Sequence, residues 1–329
     1  MKALVYTGVE TLAYRDVPNP ALRADQVLVK IDSVGICGSD MHAFLGHDDR
    51  RPAPLILGHE VAGVVDGGAS EGLRVTINPL ASCGRCRACG AGRDNLCPDR
   101  QIISMPPREG GFAQFVAIPT ANAVAVPKAF SLEKASLAEP LACGWHAVRL
   151  AQEALDHRLQ LARCLVIGGG AIGVGAALAL RAMGGSDITV LEPNEVRRDY
   201  LLQNTDFHVI DPALLSSDQL FSLVIDGVGY AQTRATACAA VRPGGVIAHI
   251  GLGSAEGGMD IRRLTLQEIS FFGTYTYTAQ DFRETANAMF EGLLGPLDWY
   301  ETRPLEAGLQ AFLDIRQGLV SAPKIILKP

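Results

Sequence analysis

Four of the eight cysteines fall within fifteen residues, Cys83-Gly-Arg-Cys86-Arg-Ala-Cys89 followed by Cys97, in the spacing C-x2-C-x2-C-x7-C. Two-residue gaps let successive sulfurs turn toward one centre, the arrangement of a tetrahedral thiolate cage. Arg85, Arg87, Arg93, Asp94 and Asn95 surround them without an apolar stripe, so these are not four unrelated core cysteines. A ferredoxin run would have three residues before its last cysteine, where this chain has seven. Zinc is the expected occupant, and four thiolates leave it no open position. The lobe at about residues 80–100 is therefore expected to be structural, and the chemistry to lie elsewhere.

At 329 residues and 48% hydrophobic, the chain is long enough for two domains. Its net charge of −6 disfavours a nucleic-acid partner, and with it a zinc-ribbon nucleic-acid binder. Met1-Lys-Ala-Leu-Val-Tyr does not read as a signal peptide, and no run of eighteen apolar residues predicts a membrane partner. Thiols reserved for metal point to a reducing, cytoplasmic setting rather than a disulfide framework. Residues 1 to about 135 carry short β-type runs such as Val27–Ile31 and Val61–Val65, punctuated by Pro and Gly. From Leu137 strands alternate with helices (Cys164–Ile167, an Ala-rich helix to Met183, Ile188–Leu191, Leu223–Ile225), the pattern of a parallel sheet wrapped by helices.

Gly168-Gly-Gly170-Ala-Ile172-Gly173 follows an apolar strand and opens a helix, the context in which G-x-G-x-x-G binds a dinucleotide pyrophosphate at a helix N-terminus. Glu192 ends the next strand, nineteen residues after Gly173, where a carboxylate accepts ribose hydroxyls and repels a 2′-phosphate. NAD is thus expected over NADP. Arg197 and Arg198 stand near enough in sequence to reach a phosphate. Val228, Gly251, Leu252 and Thr274 sit after later strands, where they could line the nicotinamide.

Among the remaining cysteines, Cys164 and Cys238 read as small core residues, and Cys37 differs. It lies in Cys37-Gly-Ser39-Asp-Met-His42, twenty-two residues before His59-Glu60, while Glu139 opens Glu139-Pro-Leu-Ala-Cys143. One thiolate, one imidazole and one or two carboxylates make an open zinc site able to take a substrate oxygen. His59 and Glu60 are adjacent, so they share one ion only if the backbone turns at Gly58.

With the Gly-His-Glu and Cys-Gly-Ser-Asp motifs, the four-cysteine lobe and the central fingerprint in this order, the whole chain resembles the zinc-dependent medium-chain dehydrogenase/reductase family. The Glu139-Pro-Leu segment makes it most similar to the sorbitol, other polyol and secondary-alcohol dehydrogenases. The resemblance implies an α/β protein: a GroES-like, β-rich catalytic domain (1–136 and 280–329) around a Rossmann doubly wound parallel sheet (137–279), assembled as a homodimer or homotetramer. It implies two zinc ions per chain. One would sit in the cage, the other on Cys37 and His59 with Glu60 or Glu139.

The implied reaction is hydride transfer between a secondary alcohol, or its ketone, and NAD. Ser39 would take the alcohol proton and pass it through a ribose hydroxyl to His42. Sorbitol dehydrogenases carry an arginine where this chain has Thr276, and a tyrosine where it has Ala43, so the pocket is expected to be less polar than a sugar-alcohol site. An NADPH-dependent carbonyl reductase and a non-catalytic NAD-binding protein are the competing readings.

Overall fold

The computed structural model describes all residues 1–329. Six strands form an all-parallel sheet in the order His208–Ile210, Asp187–Leu191, Arg163–Ile167, Phe221–Asp226, Val241–His249, Ser270–Gly273. The three central strands, Asp187–Leu191, Arg163–Ile167 and Phe221–Asp226, are apolar along most of their length because helices cover both faces. Strands are added outward on one side of Arg163–Ile167 and then, from Phe221–Asp226, on the other, and this reversal of strand order leaves a crevice at the carboxyl ends of the strands, the ligand position of a Rossmann sheet.

Helix Ala171–Ala182 leaves that central strand and packs on helix Ala138–Ala154. Small residues set the separation: a Cβ on Gly144 would stand 2.5 Å from the backbone nitrogen of Ala176. The same apolar core takes in Phe282, Ala288 and Met289 of helix Ala279–Phe290, then Leu294, Leu297 and Trp299. Residue 280, where the family resemblance puts the return to the catalytic domain, falls inside this packing. The chain rejoins the mainly antiparallel body at Tyr300–Pro304, which pairs in parallel with the last strand. The local signal for the intervening helix is clear, since Thr278 and Asp281 form a capping box. What the pattern lacked is the partner of its apolar face.

The antiparallel body holds a three-stranded sheet (Thr11–Asp16, Lys2–Gly8, Leu55–Ile56) and a seven-stranded sheet. In the latter, Gln26–Gly35 pairs with Glu60–Val65, Phe115–Pro119 and the last strand of the chain, Lys324–Lys328. The C-terminal return also supplies helix Gly308–Arg316, whose Phe312 packs on Phe44 at 5.1 Å and on Phe112 at 5.9 Å between ring centroids. All three rings are fully buried, and such aromatic pairs add about 0.5–1.5 kcal/mol each beyond burial. Phe44 ends helix Gly38–Phe44, so the tail directly supports the segment that carries Ser39 and His42. No helix of the chain is long and apolar enough to cross a membrane.

Lys328 fastens the final strand. Its ammonium lies 2.6 Å from Asp32 and 2.5 Å from Glu133. Partial burial alone would raise the Glu133 carboxyl, but hydrogen bonds from Lys328 and Ser131 outweigh it and hold the group at about 2, against an ordinary 4.5. A depressed carboxyl lends stability that is complete above its ordinary value and is lost as pH falls toward the folded-state value. Glu133→Gln should therefore lower the melting temperature by about 2 °C near neutral pH, the scale of a mostly exposed ion-pair network. The gap between the melting curves of the two proteins should shrink as the pH is lowered from about 4.5 toward about 2; a gap independent of pH would remove the charge from the explanation.

A candidate metal centre beside a dinucleotide cradle

Cys37 is the N-cap of helix Gly38–Phe44, and His59-Glu60 enters the strand Glu60–Val65 on the neighbouring chain segment. The backbone does turn before His59: Gly58 has φ +88°, the left-handed region that suits glycine. One ligand atom from each of Cys37, His59 and Glu60 then falls within 4.8 Å of the others. Gly35 faces Glu60 across the sheet, and a Cβ there would meet Glu60 Oε2 at 1.9 Å, so the strand partner must be glycine for the carboxylate to lie over it.

Lys324, at the start of the last strand, is 4% exposed. It donates to Glu60 Oε1 at 2.6 Å and to the Ile36 carbonyl at 2.8 Å. Burial opposes its charge, yet Glu60 and Cys37 raise its pKa above the ordinary lysine value. Glu60 Oε2 is left buried with no hydrogen-bond partner, an atom that calls for a cation. Thiolate, imidazole and carboxylate together with that orphaned oxygen fit zinc, and three protein ligands leave a position for substrate.

Asp40 aligns the pair of ligand segments. Fully buried, it accepts the Cys37 N–H at 3.0 Å and the Gly58 N–H at 3.2 Å, and stands 3.5 Å from His59 Nδ1, where Ser104 Oγ also lies at 3.3 Å. Burial alone would favour its neutral form, but His59, Arg51 and the Cys37 N–H keep its carboxyl below the ordinary range. With Nδ1 occupied, Nε2 of His59 is the nitrogen free for metal.

Glu139 stands apart from this triad. It is buried in the first turn of helix Ala138–Ala154 and accepts a 2.6 Å hydrogen bond from the Tyr277 hydroxyl. Desolvation, with Glu60 as a nearby like charge, raises its pKa. Cys143, one turn on, is pushed well above the thiol range by the same burial and carboxylates.

Ser39 and His42 lie one turn apart on helix Gly38–Phe44. Arg51, 3% exposed, sits behind Ser39. It donates to the Ser39 carbonyl at 3.3 Å, to the Ser104 carbonyl at 3.0 Å and to Asp48 at 2.7 Å, with Ser39 Oγ at 3.5 Å. Its charge is satisfied by Asp48, so it acts as a brace. Lys324, Asp40, Arg51 and Tyr277 are the functional neighbours that sequence reasoning left without a role. The one local signal was a lysine opening the apolar run Ile325–Leu327 of the terminal strand.

The four cysteine sulfurs of the lobe also lie within 4.8 Å of one another. Backbone N–H groups already point at them, from Cys83 to Cys97 Sγ at 3.4 Å and from Cys89 to Cys86 Sγ at 3.5 Å, as a thiolate cage requires. All eight cysteines are free.

The fingerprint turn is built as its letters predict. Gly170 caps helix Ala171–Ala182, Ile172 and Gly173 lie in its first turn, and a Cβ on Gly173 would collide with the Gly168 carbonyl at 1.7 Å. Glu192, 5% exposed, accepts the Gly169 N–H at 2.9 Å and the Asn194 N–H at 2.8 Å, which fixes its carboxylate beside the turn. Arg198 is committed to the carbonyls of Glu192 and Pro193 and to Asp211. Arg197 reaches the Val320 carbonyl at 3.3 Å, with its Nε buried and unpartnered. Val228, Gly251, Leu252 and Thr274 follow the carboxyl ends of three adjacent strands. Asp226 holds the first two in place, accepting the Val228 N–H through its side chain and the Gly251 N–H through its carbonyl. Thr274 N–H bonds the His249 carbonyl, and Leu252 is 69% exposed.

Residues 23–128 match the family model for the alcohol dehydrogenase GroES-like domain, and residues 171–291 the model for zinc-binding dehydrogenase. The chain is 32% identical over 297 residues to a sorbitol dehydrogenase of Bacillus subtilis (strain 168), covering 84% of this chain and 82% of that one. It is 30% identical over 293 residues to L-galactonate-5-dehydrogenase of Escherichia coli (strain K12), covering 84% and 83%. Among solved structures, acetophenone reductase from Geotrichum candidum NBRC 4597 in complex with NAD superposes with a TM-score of 0.88 at 26% identity, covering 100% of this chain and 97% of that one. With both domain models matched in sequence order and characterised relatives aligned along most of its length, the chain belongs to the zinc-binding alcohol dehydrogenase family, in its polyol dehydrogenase branch.

Proposed function

We propose that this enzyme moves a hydride reversibly between a secondary alcohol carbon of a polyol-type substrate and NAD, using Cys37, His59 and Glu60 to hold a catalytic zinc. The observation that carries the reading is the orphaned Glu60 Oε2 inside a Cys/His/Glu triad whose Cys37 caps the helix that bears Ser39. Zinc supplies Lewis-acid polarisation of the reacting oxygen, and nicotinamide supplies the hydride acceptor.

The chain's own residues do the rest. Asp40 keeps His59 and Cys37 in register, Lys324 balances the buried Glu60 charge, and Arg51 holds the helix turn at Ser39. Ser39 receives the substrate proton, and His42, partly exposed one turn later, delivers it to solvent. Glu139, fixed by Tyr277, supplies a second carboxylate near the metal. Glu192 reads the adenosine ribose and rejects a 2′-phosphate. The names of the relatives, sorbitol and L-galactonate dehydrogenases, support a polyhydroxylated substrate. Thr276 in place of the sorbitol-enzyme arginine supports a smaller or partly apolar alcohol. Reduced cage thiols suit a cytoplasmic enzyme, and the family habit is a homodimer or homotetramer.

Metal analysis should find two zinc ions per chain. A mild chelator should strip the three-ligand site first and abolish turnover while circular dichroism stays native; full activity at one zinc per chain would refute the assignment. Cys89→Ser should instead lower solubility and melting temperature, because cage binding is folding free energy.

Glu192→Ala should raise the ratio of NADP to NAD efficiency at least about tenfold, equivalent to about 1.4 kcal/mol of transition-state discrimination. A wild-type preference for NADP would transfer the cofactor-reading role to Arg197.

Ser39→Ala should lower the rate of alcohol oxidation by about 10² to 10⁴ with zinc content and NAD affinity unchanged. His42→Ala should be milder and partly rescued by small external bases. Near-normal turnover of Ser39→Ala, with a deuterium isotope effect showing hydride transfer to be rate-limiting, would break the relay.

A further inference from the structure

The four-cysteine lobe grips the segment that joins the last strand of the parallel sheet to helix Ala279–Phe290. Asn95, 3% exposed and two residues before Cys97, donates its side-chain amide to the Tyr275 carbonyl at 2.8 Å. Arg100 lies over the Tyr275 ring, 4.8 Å from its centroid, donates Nε to the phenolic oxygen at 3.3 Å, and is tied back to the Cys97 carbonyl at 2.8 Å. Both carboxylate oxygens of Asp94 accept the Ala279 N–H, at 3.0 and 3.2 Å. Two of these contacts satisfy backbone groups that would otherwise need other partners.

Thr276 lies between the gripped points. Its φ is +46°, a left-handed conformation that is unfavourable for a β-branched residue, and its Oγ1 is buried with no hydrogen-bond partner. Such a residue keeps its shape only where the surroundings over-determine it. The lobe constrains it from one direction, through Tyr275 and Ala279. Tyr277, 1% exposed, constrains it from the other through its bond to Glu139.

We infer that the lobe is a clamp on the active site: Asn95, Asp94 and Arg100 are positioning residues that hold Tyr275–Ala279 in the one shape that sets Tyr277 against Glu139. The cage thereby fixes a wall of the substrate pocket as well as its own loop. The cage sulfurs fix the short turn Asp94–Leu96 between Cys89 and Cys97, and that turn bears on residues some 180 positions later in the chain. The kinetic consequences rest on the dehydrogenase reading above; the structural ones do not.

The test compares zinc-replete wild type, Asn95→Ala, and Asp99→Ala, an exposed lobe control whose side chain makes no bond to the segment. Amide exchange read by mass spectrometry should speed up by about tenfold in Asn95→Ala over residues 274–279 while the Ser270–Phe272 and Arg163–Ile167 strands are unchanged. With an alcohol substrate, KM should rise about fivefold and kcat stay within about twofold, and Tyr277→Phe should reproduce that split without adding to it in the double variant.

Should Asn95→Ala fail to fold, Arg100→Gln removes the Tyr275 ring contact at an exposed position and should move both readouts in the same direction by a smaller factor. A lower melting temperature with wild-type exchange over 274–279 and wild-type KM would overturn the clamp. Absence of any alcohol turnover in the wild type would instead count against the dehydrogenase reading, and the exchange comparison would still decide the clamp.

Discussion

One buried ion pair ties the two ends of the chain to the chemistry. Lys324 and Glu60 are separated by 264 positions, and their side chains are 3% and 0% exposed. An ammonium and a carboxylate withdrawn from water repay desolvation only when both are well paired and hydrogen-bonded. Lys324 meets that condition through Glu60 and the Ile36 carbonyl, whereas Glu60 keeps one oxygen free. The pairing requires the last strand to lie against Gln26–Gly35, which in turn requires the chain to leave the antiparallel body, build the parallel sheet and return. The candidate metal triad is thus a product of the complete topology, although its three residues come from the first sixty of the chain.

The parts legible in sequence are those whose chemistry is local. The cage needs only sulfur spacing, and the fingerprint only glycines between a strand and a helix. Glu192 is found by counting from Gly173. Cys37 and His59 carry motifs around them. The remaining parts depend on partners brought from afar by folding. Asp40 sits inside a quoted motif, yet its task, joining Cys37 to Gly58 and His59, depends on a segment eighteen residues away. Tyr277 and Glu139 are 138 positions apart, and no periodicity predicts their bond. The same limit explains helix Ala279–Phe290: its amphipathic pattern showed that one face is buried, and only the packing shows against which core.

His146, Arg149 and Asp281 extend this pattern further along the helix that bears Glu139. Asp281 accepts the N–H and the hydroxyl of the N-cap Thr278, accepts from Arg149 at 2.6 Å and lies 2.7 Å from His146, so one carboxylate ends the clamped segment and joins it to helix Ala138–Ala154. Burial would raise this carboxyl, but the His146, Arg149 and Thr278 bonds hold it far below the usual range. Both ends of the Tyr277–Glu139 contact are therefore carried on elements joined to each other by charge as well as by packing.

The crossing of helices Ala138–Ala154 and Ala171–Ala182 has a mechanical consequence. At Gly144 the two backbones nearly touch, so the contact works as a fulcrum: one helix carries Glu139 in its first turn, and the other begins with the glycine turn Gly168–Gly173. A methyl group at that point could not be absorbed by a flexible side chain, since its nearest neighbours are backbone atoms of Gly175 and Ala176. It would lever the two helix starts apart. The spacing between the turn that carries Glu139 and the glycine turn is in this way set by the absence of a single side chain.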